Sequence, residues 1–173
     1  MNKNTHENIY LIGMMGSGKS TIGRLLCKEL NRTFIDTDDK IEEFMGFTIK
    51  EIFDSMGESR FREMEESYFI EKSKQSNLII STGGGIILSQ KNRDILQKGT
   101  NVFYLKADPQ FLITRLNKRY KRPLLAGDEP LLPKVETIYN SRNQFYENSA
   151  NHIINIETLS KSEKVDKILN CLI

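Results

Sequence analysis

The sequence is poor in the residues that build disulfide frameworks, zinc sites and catalytic triads. Among 173 residues it has only two cysteines and two histidines. Neither Cys27 nor Cys171 lies near a second cysteine or a histidine at metal-ligand spacing. His6 and His152 have no serine or cysteine nucleophile pattern close to them, so a hydrolase triad is not indicated. These shortages exclude a disulfide scaffold and give no support to thiol or imidazole chemistry.

A long apolar run and a strong charge excess are also missing. The first apolar run, residues 9–15, is interrupted by Gly13 and is too short to span a membrane. The 25 Lys and Arg residues against 23 Asp and Glu residues give no reason to expect nucleic acid or a membrane as a partner. We expect one globular domain over residues 1–173, in a cytoplasmic protein without a secretory signal. No interface stripe is evident, so a monomer is expected.

Short apolar runs alternate with longer stretches of helical spacing along the whole chain. Strands are predicted at residues 8–13, 33–35, 78–80, 102–105 and 153–156. Helices are predicted at residues 19–30, 41–74 with interruptions near Gly46 and Gly57, 92–98, 109–119, 134–147 and from 162 onward. A loop punctuated by proline and glycine is predicted at residues 121–133. This alternation predicts a parallel sheet that is covered by helices on both faces.

The segment Gly13–Ser20 has the spacing of a phosphate-binding loop: glycine, four residues, then Gly-Lys-Ser. It follows an apolar strand and opens an amphipathic helix, where backbone N–H groups and the helix dipole hold phosphate. Lys19 is predicted to reach the β- and γ-phosphates and Ser20 to offer its hydroxyl to Mg²⁺. A glycine-rich turn without a ligand is the alternative. The predicted nucleotide-binding residues here are Gly16, Ser17, Gly18, Lys19, Ser20 and Thr21.

Carboxylates follow the second predicted strand directly. Asp36 and Asp38 are expected to face the same crevice as Lys19, because ligands bind at the carboxyl ends of parallel strands. One carboxylate can hold a magnesium-bound water, and the other can orient or accept the proton of an acceptor hydroxyl. The alternative is a helix N-cap at Thr37 or Asp38, with Asp39 stabilising the helix dipole.

Several further motifs follow one another along the chain. Together with the phosphate-binding loop and the aspartates they are Gly13–Thr21, Asp36-x-Asp38, Ile52-Phe53, Gly57-Glu58-x-x-Phe61-Arg62-x-x-Glu65, Ser81–Gly85, Arg122–Gly127 and Arg142-x-x-x-Tyr146-x-x-x-Ala150. Their order, from Tyr10 to about Ile156, resembles that of the shikimate kinase family. The third strand ends in Ser81-Thr82 where most P-loop enzymes have an aspartate, and the family shares this departure.

The resemblance implies a three-layer α/β fold with a five-stranded parallel sheet, of the nucleoside-monophosphate-kinase type. It implies a substrate-binding helical region at about residues 37–65 and a mobile lid at about 117–128. The implied reaction is transfer of the γ-phosphate of ATP to the 3-hydroxyl of shikimate, with Mg²⁺, in aromatic amino-acid biosynthesis. Catalytic roles are implied for Lys19, Asp38 and Arg122. Metal binding is implied for Ser20 and Asp36, adenine contact for Arg115, and shikimate binding for Asp38, Arg62, Gly83, Gly84, Gly85 and Arg142.

The chemistry of these residues suits a small polyhydroxylated acid. Forked guanidinium groups such as those of Arg62 and Arg142 bind carboxylates well. Phe53 and Phe61 are candidates for an apolar wall against the substrate ring, or else belong to the core. The three glycines allow a close backbone approach or form only a turn, and Glu65 either holds Arg62 in place or makes an ordinary helix-surface pair with it.

Several other functions remain open on sequence grounds. The basic run Arg115–Arg122 around Tyr120 is read as part of the lid, although RNA contact and a solvated helix end are alternatives. A kinase for another small hydroxy acid such as gluconate would also use paired arginines. A non-catalytic ATP-binding regulatory module is expected to lose Lys19, Asp38 or Arg122, and all three are present.

Overall fold

The computed structural model describes residues 7–116, 123–125, 127 and 130–172. Its strands are β1 (Ile9–Ile12), β2 (Thr33–Asp36), β3 (Leu78–Ser81), β4 (Val102–Lys106) and β5 (His152–Asn155). Its helices are α1 (Lys19–Leu30), α2 (Thr37–Met45), α3 (Ile49–Ser73), α4 (Gln90–Lys98), α5 (Pro109–Arg115), α6 (Leu131–Ser149) and α7 (Lys161–Leu172). Short 3₁₀ turns cover Ile86–Leu88 and Pro123–Leu125.

The five strands form one parallel sheet in the order β2-β3-β1-β4-β5. Right-handed crossovers place α1 on one face of the sheet, and α3, α4 and α6 on the other, because the chain changes direction after β2. Helix α7 packs beside α1. The predicted three-layer α/β fold is confirmed. The carboxyl ends of β1, β2 and β3 meet at one edge, where the candidate site lies.

The central strands are apolar on both faces because helices cover both sides of the sheet. All four residues of β1 and all four of β3 are buried. Around them lies one large hydrophobic core that includes Tyr104 and Tyr146, whose rings stack with their centroids 5.0 Å apart. Within the described ranges, we find no helix with the length and hydropathy needed to cross a bilayer.

A second, small core lies under the predicted substrate-binding region. It is built from the buried side chains of Ile41, Ile52 and Phe61, contributed by α2 and α3. The two interruptions predicted in this region are present. Helix α2 ends at Met45 and is capped by Gly46, and α3 is kinked at Gly57, whose φ of 81° is a left-handed conformation that favours glycine. This separate core holds the region as a unit beside the main sheet.

Three predicted boundaries are wrong. Helix α5 ends at Arg115 instead of about residue 119, because the backbone of Leu116 has already left the helical conformation. Helix α2 begins at Thr37 instead of residue 41, because the carboxylate of Asp36 caps it. Helix α6 begins at Leu131, so the predicted loop does not reach Pro133, which lies in the first turn of the helix. A proline is tolerated there because the first N–H groups of a helix have no intrahelical acceptor.

Candidate active site

The phosphate-binding loop joins β1 to α1 at the carboxyl edge of the sheet. Gly16 and Gly18 have φ values of 84° and 89°, a left-handed conformation that glycine adopts without strain. A Cβ atom on Gly13 would lie 2.8 Å from the carbonyl oxygen of Leu105, so that position also has no room for a side chain. The loop therefore has the backbone shape that its glycine spacing predicts.

Lys19 begins α1, and its side chain folds back over the loop. Its Nζ donates to the carbonyl oxygens of Gly13 and Met14 at 2.8 and 2.9 Å. The residue is only 8% exposed. The ammonium group is thus held inside the turn where a phosphate is expected. Ser20 is half-buried in the first turn of α1, and Ser17 is buried within the loop.

The end of β2 brings the two predicted aspartates to the same edge. Asp36 is buried, and its Oδ1 accepts from the backbone N–H groups of Asp38 and Asp39 at 3.1 and 3.5 Å. The helix cap is therefore Asp36, not Thr37 or Asp38 as the structural alternative proposed. Asp38 is half-buried. In the sheet Asp36 pairs in register with Ser81, whose buried Oγ has no hydrogen-bond partner in the described part of the chain.

The three consecutive glycines form a loop after β3, which we call the glycine loop (residues 83–85). The N–H of Gly83 donates to Thr37 Oγ1 at 2.9 Å, so this N–H is already bonded within the protein. The N–H groups of Gly84 and Gly85 make no hydrogen bond with the residues that the structure describes. Of the three predicted glycines, only Gly84 and Gly85 therefore remain candidates for donating a backbone N–H to the substrate.

Charged side chains leave no room for a Cβ atom at the first and third positions of the glycine loop, whereas a Cβ at the second would make ordinary contacts. A Cβ on Gly83 would overlap Glu65 Oε1 and lie 2.5 Å from Asp38 Oδ1, and one on Gly85 would overlap the guanidinium of Arg62. A Cβ on Gly84 would lie 3.4 Å from the N–H nitrogen of Met15 in the phosphate-binding loop. The glycine loop thus joins the phosphate-binding loop to the charged side chains of α2 and α3.

Arg62 on α3 is held by two carboxylates. Its Nη1 donates to Glu65 Oε2 at 2.6 Å, and its Nε and Nη2 donate to Glu58 Oε1 at 3.2 and 3.0 Å. Burial lowers the pKa of Arg62, but the charges and hydrogen bonds of the two glutamates outweigh it and the net pKa is raised. Burial raises the pKa of Glu65, although Arg62 and Arg142 oppose this. Glu65 is buried and the Arg62 side chain is only 21% exposed, so this is a largely desolvated pair and not the helix-surface pair that the spacing alone also allowed.

Arg142 and Tyr146 approach the glycine loop from α6. Arg142 is 6% exposed, and its Nη1 donates to the carbonyl oxygen of Gly84 at 3.1 Å. The hydroxyl of Tyr146 donates to the same oxygen. Arg62 and Arg142 therefore reach neighbouring residues of one loop from two different helices, as expected for a paired-arginine site.

The two phenylalanines differ in their surroundings. Phe61 is 2% exposed and belongs to the small core under α2 and α3. Phe53 is half-buried, its ring centroid lies 5.1 Å from that of Phe61, and both rings lie under the Arg62 guanidinium. Contact of either ring with a substrate stays a prediction.

A comparison with protein families identifies the chain. A family model described as "Shikimate kinase" matches residues 15–173. The chain belongs to the shikimate kinase family. The shikimate kinase of Burkholderia thailandensis is 37% identical over 167 residues, which cover 96% of this chain and 90% of the relative. The solved structure titled "Shikimate kinase from Acinetobacter baumannii in complex with shikimate" aligns with a TM-score of 0.90 at 35% identity, covering 95% of this chain and 91% of that chain.

A gluconokinase from Sinorhizobium meliloti also aligns, with a TM-score of 0.60 at 16% identity over 96% of this chain and 91% of that chain. At this identity the likeness shows a shared fold alone. It gives no support to the gluconate alternative, whereas the shikimate kinase relatives match over nearly the full length. Family membership thus favours shikimate on grounds that are independent of the paired arginines.

Two predicted nucleotide-side residues of this shikimate kinase family member, Arg115 and Arg122, belong to the segment that begins with α5. Arg122 and most of the predicted lid lie outside the described residues. Arg115 is the exposed last residue of α5, and its guanidinium lies 5.4 Å from the centroid of the Phe111 ring. A Cβ on Gly16 would lie 3.2 Å from Leu112 O, so α5 packs directly on the phosphate-binding loop. Arg115 therefore lies on the helix that borders the nucleotide side, and adenine contact stays a prediction.

Two features that shape the site are not predicted by the motifs: one hydrogen bond and one buried carboxylate oxygen. Thr37 is fully buried and bonds to Gly83, although it was weighed only as a helix cap. Glu65 Oε1 is buried and has no hydrogen-bond partner within the described ranges, a feature that neither reading of the Arg62–Glu65 spacing predicts. The signal for Thr37 was available, since a threonine between two site aspartates at a strand end lies at the same sheet edge as the glycine loop.

Proposed function

We propose that this protein transfers the γ-phosphate of ATP to the 3-hydroxyl of shikimate, giving shikimate 3-phosphate and ADP. The observation that carries the proposal is the convergence of Arg62 and Arg142 on one glycine loop that packs against the phosphate-binding loop. Two guanidinium groups are suited to a carboxylate, and the neighbouring loop is suited to a polyphosphate. The site therefore has an acid-binding half and a phosphate-binding half in direct contact.

On the nucleotide side, we assign phosphate binding to the backbone of residues 16–21 and to Lys19. The hydroxyl of Ser20 and the carboxylate of Asp36 would hold Mg²⁺, directly or through water, because this cation prefers oxygen ligands. The orphan hydroxyl of Ser81 beside Asp36 fits such a hydrated ion. When bound, Mg²⁺ neutralises charge on the β- and γ-phosphates. Arg115 would lie beside the adenine.

On the acceptor side, we assign the carboxylate of shikimate to Arg62 and Arg142. Asp38 would bind the reacting hydroxyl, and Glu65 Oε1, which has no hydrogen-bond partner among the described residues, offers a second acceptor for a hydroxyl. The N–H groups of the glycine loop would complete the pocket, with Phe53 and Phe61 against the ring. Positioning of the two reactants and stabilisation of charge account for most of the catalysis in this type of transfer.

We also assign a role in phosphoryl transfer to Arg122, on a lid over residues 117–128. A cation on a closing loop would stabilise the transferred phosphoryl group, and closure would exclude the water that otherwise hydrolyses ATP. We also propose that the protein acts as a monomeric single domain in the cytoplasm, where ATP is available.

The first experiment is a coupled assay of ADP release with Mg-ATP and shikimate, gluconate or no acceptor. Turnover with shikimate alone is expected. Turnover with gluconate alone would leave phosphoryl transfer in place but overturn the assignment of Arg62, Arg142 and the glycine loop. ATP binding without turnover on any acceptor would favour the regulatory module instead.

Lys19→Ala is expected to lower kcat by about 10²–10³, because the ammonium group is the charge held inside the phosphate-binding turn. The matched control is Lys28→Ala, since Lys28 is an exposed residue in the last turn of the same helix. We expect its kcat to stay within about twofold of the unmodified protein. Equal effects of the two substitutions would contradict a phosphate-binding role for Lys19.

A further inference from the structure

The phenol of Tyr146 reaches the glycine loop from the side of the main core. Tyr146 is 0% exposed, and its hydroxyl donates to the carbonyl oxygen of Gly84. A buried hydroxyl is costly unless it is bonded. The hydroxyl also lies 3.9 Å from Met14 Sδ, but a thioether is the weaker acceptor, so the carbonyl of Gly84 is its main partner. Burial also raises the pKa of Tyr146, although the Arg142 guanidinium beside it opposes this. The phenol is therefore a neutral donor at physiological pH.

The hydrogen bond from Tyr146 to the Gly84 carbonyl fixes the orientation of the whole peptide unit between Gly84 and Gly85. The carbonyl of Gly84 and the N–H of Gly85 belong to the same planar trans peptide unit, so they point in opposite directions. A peptide unit between two glycines rotates at little steric cost, and an outside contact is needed to fix it. Because Tyr146 and Arg142 hold the oxygen, they also set the direction of the Gly85 N–H.

We propose that Tyr146 is a positioning residue that aims the Gly85 N–H at the carboxylate of the acceptor. The inference rests on the proposed function, because the anion is the shikimate carboxylate bound by Arg62 and Arg142. Arg142 donates to the same carbonyl, but its guanidinium is also assigned to the substrate and must remain able to turn toward it. The buried phenol is not assigned to the substrate, so it keeps the peptide unit in place while Arg142 binds the acid.

The test compares Tyr146→Phe with Tyr104→Phe. The two rings stack on each other, both residues are 0% exposed, and each substitution removes one phenol O–H while keeping the ring. The hydroxyl of Tyr104 donates to Asn143 Oδ1 at 2.8 Å and does not touch the glycine loop. Tyr146→Phe is expected to raise KM for shikimate about threefold to tenfold, the usual effect of one lost neutral hydrogen bond. KM for ATP should stay within about twofold in both variants, and KM for shikimate should not change in Tyr104→Phe.

A measurement on the unmodified protein tests the same proposal without any substitution. In protein labelled with ¹⁵N-glycine, the Gly85 amide resonance is expected to shift on addition of shikimate and to stay in place on addition of ADP. An unmoved Gly85 resonance at saturating shikimate would overturn the proposal. So would an unchanged KM in Tyr146→Phe, or an equal rise in both variants, which would indicate a purely structural role.

The coupled assay distinguishes an error in the proposed reaction from an error in the role of Tyr146. If the unmodified protein does not phosphorylate shikimate in the coupled assay, the reaction itself is wrong, whatever the two tyrosine variants do. Shikimate turnover by the unmodified protein, with no difference between the variants, would overturn only the role of Tyr146.

Discussion

Replacement of Asp38 by asparagine is expected to lower kcat for shikimate phosphorylation by about 10²–10⁴, with KM for ATP nearly unchanged. The carboxylate is assigned to the reacting hydroxyl, and an amide cannot accept its proton or carry the charge that draws it into line. Asparagine has almost the same volume, so the packing of the side chain against Gly83 should survive. Steady-state kinetics with each substrate varied in turn provide the measurement.

Asp39→Asn is the matched control for this change. Asp39 is the next residue of α2, and it is exposed and paired with Arg24 at 2.9 Å. Both aspartates lie in the first turn of α2, so each substitution removes one charge that favours the helix dipole, at a cost of about 0.3–1 kcal/mol. We expect Asp39→Asn to keep kcat within about twofold. A loss below about tenfold for Asp38→Asn, or one shared with Asp39→Asn, would mean that Asp38 does not hold the reacting hydroxyl.

The phosphate-binding half of the site was predictable because its signal is local. Gly16, Gly18 and Lys19 lie within a few residues of one another, and the turn they form depends on their own backbone preferences. The five-stranded sheet was predictable for a similar reason, since each strand and helix is a separate periodic segment. The errors lie at helix ends. At Asp36 and Pro133 a single side chain or a proline in a first turn determines the boundary, and α5 stops at Arg115, earlier than its apolar spacing predicts.

The acceptor half was predictable only in part, because its contacts join distant segments. The bond from Gly83 to Thr37 spans 46 residues, and the bond from Tyr146 to Gly84 spans 62. The hydrophobic periodicity of a sequence indicates local helices and strands, and it does not predict hydrogen bonds between residues so far apart. Composition also cannot show that Glu65 is buried, because the same spacing from Arg62 occurs on helix surfaces. The burial of Glu65 depends on how α3 packs beside the glycine loop, and it makes the stability of the protein sensitive to the loss of Arg62.

Arg62→Ala is expected to destabilise the protein by about 3 kcal/mol at neutral pH, the lower end for removing one partner of a buried ion pair. Glu65 is 1% exposed and would lose the donor that Arg62 Nη1 supplies at 2.6 Å. The expected loss is at the lower end of that range because the positive charge of Arg142 still stabilises the Glu65 carboxylate. In a protein of this size the loss corresponds to a fall in Tm of about 6–12 °C.

KM for shikimate should also rise about tenfold to hundredfold in Arg62→Ala, through loss of a charged hydrogen bond to the substrate.

The stability loss should grow with pH. Burial raises the pKa of Glu65 above its ordinary value of 4.5, so the folded state binds this proton more readily than the unfolded state. A raised carboxyl pKa favours the folded state at low pH, and that stability is lost as pH rises from 4.5 through the folded pKa. Removal of Arg62 raises the pKa further, because a charge that lowered it is gone. The difference in Tm between the variant and the unmodified protein should therefore be larger at pH 8 than at pH 5.

Arg60→Ala supplies the matched control on the same helix. Arg60 pairs with Glu63 at 2.7 Å and with the same three-residue spacing, but both side chains are about 60% exposed. Exposed pairs contribute about 0–1 kcal/mol, so Tm should fall by no more than a few degrees and show no comparable growth with pH. The two pairs differ in burial and not in sequence spacing. If both variants lost equal stability, or if the loss in Arg62→Ala were the same at pH 5 and pH 8, Glu65 would not be a buried charge held by Arg62, and the acid-binding half of the site would need another anchor.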